Sequence, residues 1–358
     1  MGEKKSVYWS DDEEGVERER TTLQAALRDY LMFHEAMNTS STTIANYRWS
    51  LSLFIDWLFT ESDGELVYVD QLRVKHLRGY VRYLQQRTYS NGYPLADTTI
   101  HQYALEVSIF CHWLEREKLA DKTLTENFEL PKCEERVIPA LTDEDFEKVL
   151  AACEESSNLD PRLRKALTAR NRAMVSVFFD AGVRRKELVG LRLGDVDRQE
   201  RLLYIKRKGR KWQQVPISYE GFKPLHEYIT RHRSYLASCG VGTGSRKDDP
   251  VFLTRKGEPL KLCTVTALFN RLRKRSGIID KPVYSHQGRR RMATKQLNAG
   301  RNPLDVQRQM GHTTLAMTNK YFSQTTEGLK KSHERFSPLR KKSENEHASG
   351  LGSGYYEE

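Results

Sequence analysis

The chain has 358 residues, 38% hydrophobic and 30% charged, a composition that suits a globular protein with two cores rather than one. Lys and Arg number 59 against 48 Asp and Glu, a formal net charge of +11 that favours a polyanionic partner, nucleic acid before membrane. The five scattered cysteines form no C-x-x-C pair and no apolar run is long enough to span a bilayer, which argues against a disulfide scaffold, a zinc site and a membrane span.

Residues 1–21 are charged, aperiodic and unlike a signal peptide, so a flexible arm and a reducing, cytoplasmic setting are expected. Helical patterns follow from 22 to 134. In "TTIANYRWSLSLFIDWL", Ile44, Tyr47, Leu51, Phe54, Ile55 and Leu58 share one face. In "TTIHQYALEVSIFCHWL", Ile100, Tyr103, Val107, Phe110 and Leu114 do the same. The two stretches match at Thr42 and Thr98, Tyr47 and Tyr103, Phe54 and Phe110, and Trp57 and Trp113, as two equivalent helices of one bundle would. Ser41 and Asp97 are their expected N-caps, and 22–37 and 71–88 the expected partner helices. "LPKCEERVIPAL" (130–141), with two prolines and no helical period, reads as a linker.

A second domain is expected over 135–338. Thr142 caps its first helix, with Glu144 and Asp145 in the first turn, where the helix dipole favours acids. In "FFDAGVRRKELVGL" a helix ends near Gly182 and another begins, putting Arg184 and Glu187 on one face as i, i+3 neighbours. In "RLLYIKRKGRKWQQVPIS", Leu203, Ile205, Val215 and Ile217 alternate as in a two-stranded hairpin with Gly209 at its tip. No acid occurs from 201 to 218, so the cations of the hairpin suit phosphates. "YSHQGRRRMATKQLNAG" places His286 and Arg289 at i, i+3 at a helix start, an anion-attracting position. Asn302 and Pro303 then open a helix that closes at Gly311, leaving His312 on the bend, and Thr313 or Thr314 caps a short helix carrying Tyr321. "HEYITRH" is no zinc helix, because His226 and His232 are six apart rather than four. There is no G-x-x-x-x-G-K-[ST] loop, so ATP use is not indicated. The tail 339–358 is polar, Gly/Ser-rich and expected to be disordered; Tyr355 and Tyr356 lie in it.

The ordered series "AGVRRKEL", "RKGRKWQQVPI", "HQGR", "MGH" and Tyr321 resembles the tyrosine recombinase (phage integrase) family, of the two-domain Xer-like or transposon integrase type. The resemblance implies a mainly α fold with a small β-sheet: a helical core-binding domain over 22–134 and a mixed α+β catalytic domain over 135–338. It implies Tyr321 as nucleophile, Arg184 and Arg289 on the phosphate oxygens, Glu187 orienting, and His286 as acid/base partner of the phenol. It further implies His312 on the scissile phosphate and Lys208 as general acid, with Lys206 and Lys211 as competitors for that last role. Lys206, Arg207, Arg210, Lys211, Arg290 and, in the helical domain, Arg48 are the implied DNA contacts; Arg207 stands where many members have Gly. The implied reaction is site-specific cutting and rejoining of duplex DNA through a 3′-phosphotyrosyl link, with no metal and no nucleotide cofactor. The implied partners are DNA with core sites, a homotetramer on two duplexes, and accessory recombination proteins. Two readings compete: relaxation of supercoils in the manner of a type IB topoisomerase, and a non-catalytic DNA-binding relative.

Overall fold

The computed structural model describes residues 9–10, 18–133, 138–207, 211–240, 244–319, 321, 330, 333–334 and 337–339. The chain is mostly helical with one three-stranded sheet, and it divides into two compact units, Met1–Val137 and Ile138–Glu358.

In the first unit, after a pair of two-residue strands (β1, Trp9–Ser10; β2, Arg18–Glu19), four helices pack around one core. They are α1 (Leu23–Ala36), α2 (Ser41–Glu61), α3 (Val74–Gln86) and α4 (Asp97–Arg116). The two similar stretches form α2 and α4. Leu51, Phe54 and Leu58 of one, and Val107, Phe110 and Leu114 of the other, are buried in that core. Both expected caps shift by one residue. Ser40, not Ser41, caps α2, its hydroxyl accepting the Thr43 N–H at 3.2 Å. Ala96, with no side chain to offer, precedes α4, so Asp97 falls in the first turn, where its carboxylate still meets the positive end of the helix dipole.

The second unit opens with α5 (Asp143–Ala151), whose cap is reciprocal. Thr142 Oγ1 accepts the Asp145 N–H at 3.2 Å, and Asp145 Oδ2 accepts the Thr142 N–H at 2.9 Å. Helix α6 (Pro161–Ser176) runs on through a wide π-turn (Val177–Ala181) to Gly182, in the left-handed conformation at φ 65°. A Cβ there would lie 2.1 Å from Met292 Cε, so both backbone and space require glycine. Met174, Val175, Val177 and Phe178 of this segment are buried at the centre of the larger core.

Helix α7 (Arg185–Val189) follows, then strands β3 (Val196–Asp197), β4 (Leu202–Lys206) and β5 (Trp212–Pro216), antiparallel in that order. Leu203 pairs with Val215, and the alternation puts Leu203, Ile205 and Val215 inside; β3 is an extra strand beyond the expected hairpin. Helices α8 (Tyr219–Glu227), α9 (Arg233–Ser238) and α10 (Leu262–Ser276) complete the core. They lead to α11 (Ser285–Asn298), α12 (Pro303–Met310) and α13 (Leu315–Asn319). Among the described residues no helix is long and apolar enough to cross a membrane.

Candidate active site

The last carbonyls of an α-helix find no partner within it and must be met from outside. At the end of α12, four consecutive carbonyls each receive a side chain. Gln213 Nε2 donates to Arg308 O, and Arg207 Nη2 donates to Gln309 O at 2.7 Å. Arg289 Nη2 donates to Met310 O, and Arg184 Nη2 donates to Gly311 O at 3.1 Å. Three of the four donors are arginines, and the negative end of the helix dipole favours that choice. Gly311, at φ 61°, makes the turn, and Arg207 fills the space beside it: a Cβ on Gly311 would lie 3.0 Å from Arg207 Nε.

Arg184 immediately precedes α7. Its backbone N–H donates to Glu187 Oε2 at 2.7 Å and its Nη1 donates to Oε1 at 3.0 Å, so the i, i+3 pair expected from spacing is formed. The same carboxylate takes a second guanidinium. Arg207 Nη1 donates to both Glu187 oxygens at 2.7 Å, and its Nε donates to Gln213 Oε1 at 3.1 Å. The Arg207 side chain is only 8% exposed and Glu187 only 6%. Arg207 was expected to meet DNA from the hairpin; instead it turns inward under the site, where Glu187 offsets the cost of burying its charge.

Arg289 sits in the first turns of α11 with 1% of its surface exposed. Nη1 donates to Gly182 O at 2.7 Å and Nη2 to Met310 O. Burial first, then repulsion from Arg184 and Arg207, pulls its pKa down to about 10, still high enough to keep it charged at neutral pH. Two N–H groups go to those carbonyls, and the fork has others to offer an incoming oxyanion.

His312 lies just past Gly311. Its Nδ1 is 2.9 Å from Thr318 Oγ1. Burial, followed by the charges of Arg289, Arg184 and Arg207, lowers its pKa to about 4, so the ring is neutral at physiological pH. If Nδ1 accepts the threonine hydroxyl, the ring carries its proton on Nε2 as a donor. His286 remains exposed, yet the protein packed around it and then Arg289, Arg184 and Arg185 lower its pKa too.

The low value at His312 has a measurable consequence. A group whose folded pKa is depressed leaves the unfolded state holding more protons as pH falls, so stability is complete above the unfolded value of about 6.5 and declines toward pH 4. We expect His312→Gln to remove about 1–2 kcal/mol of that decline between neutral pH and about pH 4.5, the half-exposed ring being partly screened by solvent. Urea unfolding of the protein at about pH 7.5 and about pH 4.5 checks it; equal pH dependence in both proteins would refute it.

Tyr321 does not ride on a helix as expected. It follows α13, in a turn, with its N–H on Thr318 O at 3.0 Å and its carbonyl accepting from Thr294 Oγ1 at 3.3 Å. Its ring is partly buried against the cluster of Met292, Ala293, Leu297, Val306 and Met310. It stacks on His312, centroids 5.9 Å apart at 16°, and Arg290 Cζ lies 5.9 Å from its centre. Tyr321 is close enough to Arg289 for its negative form to favour the guanidinium's charge.

Arg184, Glu187, Arg289, His312 and Tyr321, distant along the chain, are thus joined through one contact network, and His286 feels the charges of both arginines. Arg290 lies against the phenol ring rather than apart from it. Lys206 is exposed, its Nζ 5.9 Å from the ring centre of exposed Trp212, and Arg48 is exposed on α2 of the other unit. Lys211 is exposed and its carbonyl accepts the Arg207 N–H at 2.7 Å. Lys208 and Arg210 lie outside the described residues. Sequence reasoning missed Gln213 and the inward role of Arg207. The signal was present: 203, 205 and 207 share the parity that points into the core.

The sequence profile of the phage integrase family matches residues 139–327. The chain is 26% identical over 318 residues to tyrosine recombinase XerD of Halalkalibacterium halodurans, covering 88% of this chain and 99% of the relative. It is 30% identical over 303 residues to tyrosine recombinase XerC 2 of Ralstonia nicotianae, covering 84% of this chain and 82% of the relative. Its fold is similar to that of the Tn1549 transposon integrase solved in complex with a circular intermediate DNA, with TM-score 0.67 at 16% identity over 88% of this chain and 99% of that one.

Proposed function

The chain belongs to the phage integrase family and is a tyrosine-type site-specific DNA recombinase, and on that premise we propose that Tyr321 is the residue that attacks the DNA. The observation that carries this reading is the contact between the Tyr321 ring and His312, which stands at the end of α12 where Arg184 and Arg289 are anchored.

A recombinase must break a phosphodiester and retain its energy for rejoining. Attack by water would lose that energy, whereas attack by a phenol stores it as a phosphotyrosine. Tyr321 Oη bonds to the scissile phosphorus and surrenders its proton to His286, whose depressed pKa keeps it in the base form at neutral pH. The bond to the 5′ oxygen breaks, and that oxygen takes a proton from Lys208. The product is a 3′-phosphotyrosyl enzyme and a free 5′-hydroxyl. Rejoining reverses the steps with the hydroxyl of the other strand. Negative charge developing on the non-bridging oxygens is met by the forks of Arg184 and Arg289, fixed before DNA arrives and requiring no reorganisation. Neutral His312 donates to the same phosphate, and Glu187 holds Arg184 in place.

The test is a duplex bearing the site recovered by sequencing DNA trapped on the protein, nicked so that the cleaved strand cannot religate. A covalent band whose linked peptide contains residue 321 supports the assignment, and linkage to any other residue refutes it.

Lys206, Lys211 and Arg48, all exposed, are proposed phosphate contacts outside the reacting centre. Exchange between two duplexes requires two cuts in each, hence four protomers, and accessory proteins would act on that assembly. Leu339, 90% exposed, is proposed to dock on a neighbouring protomer together with Leu329 and Phe336, which lie outside the described residues. Deleting 325–358 should leave single-duplex cleavage by Tyr321 intact and abolish the four-protomer synapse on gel mobility. A synapse that survives the deletion refutes the docking.

A further inference from the structure

Among the described residues of the hairpin base, Arg207 is the cation whose side chain is committed to protein on three sides. It reaches Glu187 through Nη1, Gln309 O through Nη2, and Gln213 through Nε. All three of its nitrogens already donate to protein acceptors, Nη1 to both Glu187 oxygens, whereas Arg289 gives only two N–H groups to carbonyls. Its contacts join three segments that sequence separates: the end of β4, which Arg207 directly follows, the first turn of α7 through Glu187, and the last turn of α12 through Gln309. Each of those segments ends at a residue of the reaction. Glu187 holds Arg184, Gln309 is followed by Met310 and Gly311, whose carbonyls hold Arg289 and Arg184, and Lys208 is the next residue in sequence after Arg207.

We propose that Arg207 is a positioning residue for DNA cleavage: through Glu187 and the end of α12 it holds Arg184 in register. The inference rests on the reading of Tyr321 as nucleophile, and it assigns Arg207 no contact with DNA. Arginine suits the place because its three nitrogens, set apart in one plane, reach Gln213, Glu187 and the Gln309 carbonyl separately, whereas an ammonium offers a single nitrogen. Loosening such a brace displaces the reacting groups by a fraction of an ångström to an ångström, and displacement of that size slows a positioned reaction roughly 10- to 100-fold.

The experiment measures single-turnover cleavage of the nicked duplex described above, together with binding across a salt series. Arg207→Gln should cleave on the order of 10- to 100-fold more slowly at saturating protein while binding DNA within about two-fold of wild type. Its log affinity against log salt should keep the wild-type slope, because a lost phosphate contact would lower that slope by about one. Glu187→Gln should slow cleavage as well, and the double variant should be no slower than the slower single variant, since both remove one brace.

A reduced salt slope, or multiplicative losses in the double variant, would overturn the proposal in favour of a direct DNA contact or an independent role. Urea unfolding controls for folding. If Arg207→Gln does not fold, Arg207→Lys carries the test: it keeps the charge but not the fork, and should cleave about 3- to 10-fold slowly with an unchanged salt slope. Wild-type rate in Arg207→Lys overturns the proposal. Failure of the wild-type protein to form an adduct at Tyr321 is a separate outcome, which sinks the nucleophile assignment rather than the brace.

Discussion

Tyr321→Phe is expected to abolish covalent capture of DNA and leave DNA binding within about two-fold of wild type. The ring does the packing: it lies against Met292, Ala293, Leu297, Val306 and Met310 and stacks on His312, and phenylalanine keeps all of that surface. The backbone bonds to Thr318 and Thr294 are also untouched. Only the attacking oxygen is lost, and no neutral water can regenerate the stored-energy intermediate in its place. The rate of adduct formation should fall by at least about four orders of magnitude, below detection on a denaturing gel. A band that persists in the variant would mean that a different side chain attacks.

The second large effect is expected at Arg289. Arg289→Lys keeps a positive charge at the position, yet one ammonium cannot satisfy both Gly182 O and Met310 O and still present a fork to phosphate. Cleavage should fall by roughly 10²- to 10³-fold, the range for removing one preorganised oxyanion donor. Stability should fall by about 1–3 kcal/mol, because a buried carbonyl is left without its partner. Stopped single-turnover cleavage and urea unfolding report the two losses separately. A variant that cleaves at wild-type rate would remove Arg289 from the phosphate site, whatever its stability.

What the sequence made readable was order along the chain. Arg184 with Glu187 and His286 with Arg289 are i, i+3 pairs, and helical spacing brings such pairs together with no knowledge of the tertiary fold. The apolar faces of α2 and α4 were readable for the same reason. The caps slipped by one residue because Ser40 and Ser41 are adjacent hydroxyls, and only the Thr43 N–H decides between them. Arg207 was misjudged because its partners, Glu187 and Gln309, lie in other elements, so a string of cations in a hairpin looked uniformly solvated. The strand parity that would have turned it inward competes with the strong prior that arginines stay outside. Tyr321 lies beyond α13 rather than on it, and no local signal marks where a helix that short stops.

The anchors at the end of α12 are main-chain oxygens: Gln309, Met310 and Gly311 receive the three arginines through their peptide carbonyls. A peptide carbonyl is supplied by every amino acid, so no amino-acid substitution at 309 or 310 deletes one. The tethers therefore do not depend on which side chains stand at 309 and 310; those side chains are constrained separately, by being buried. Substitutions that remove a tether outright are those of the arginines themselves; the glycine at 311 sets the bend that presents the last carbonyl.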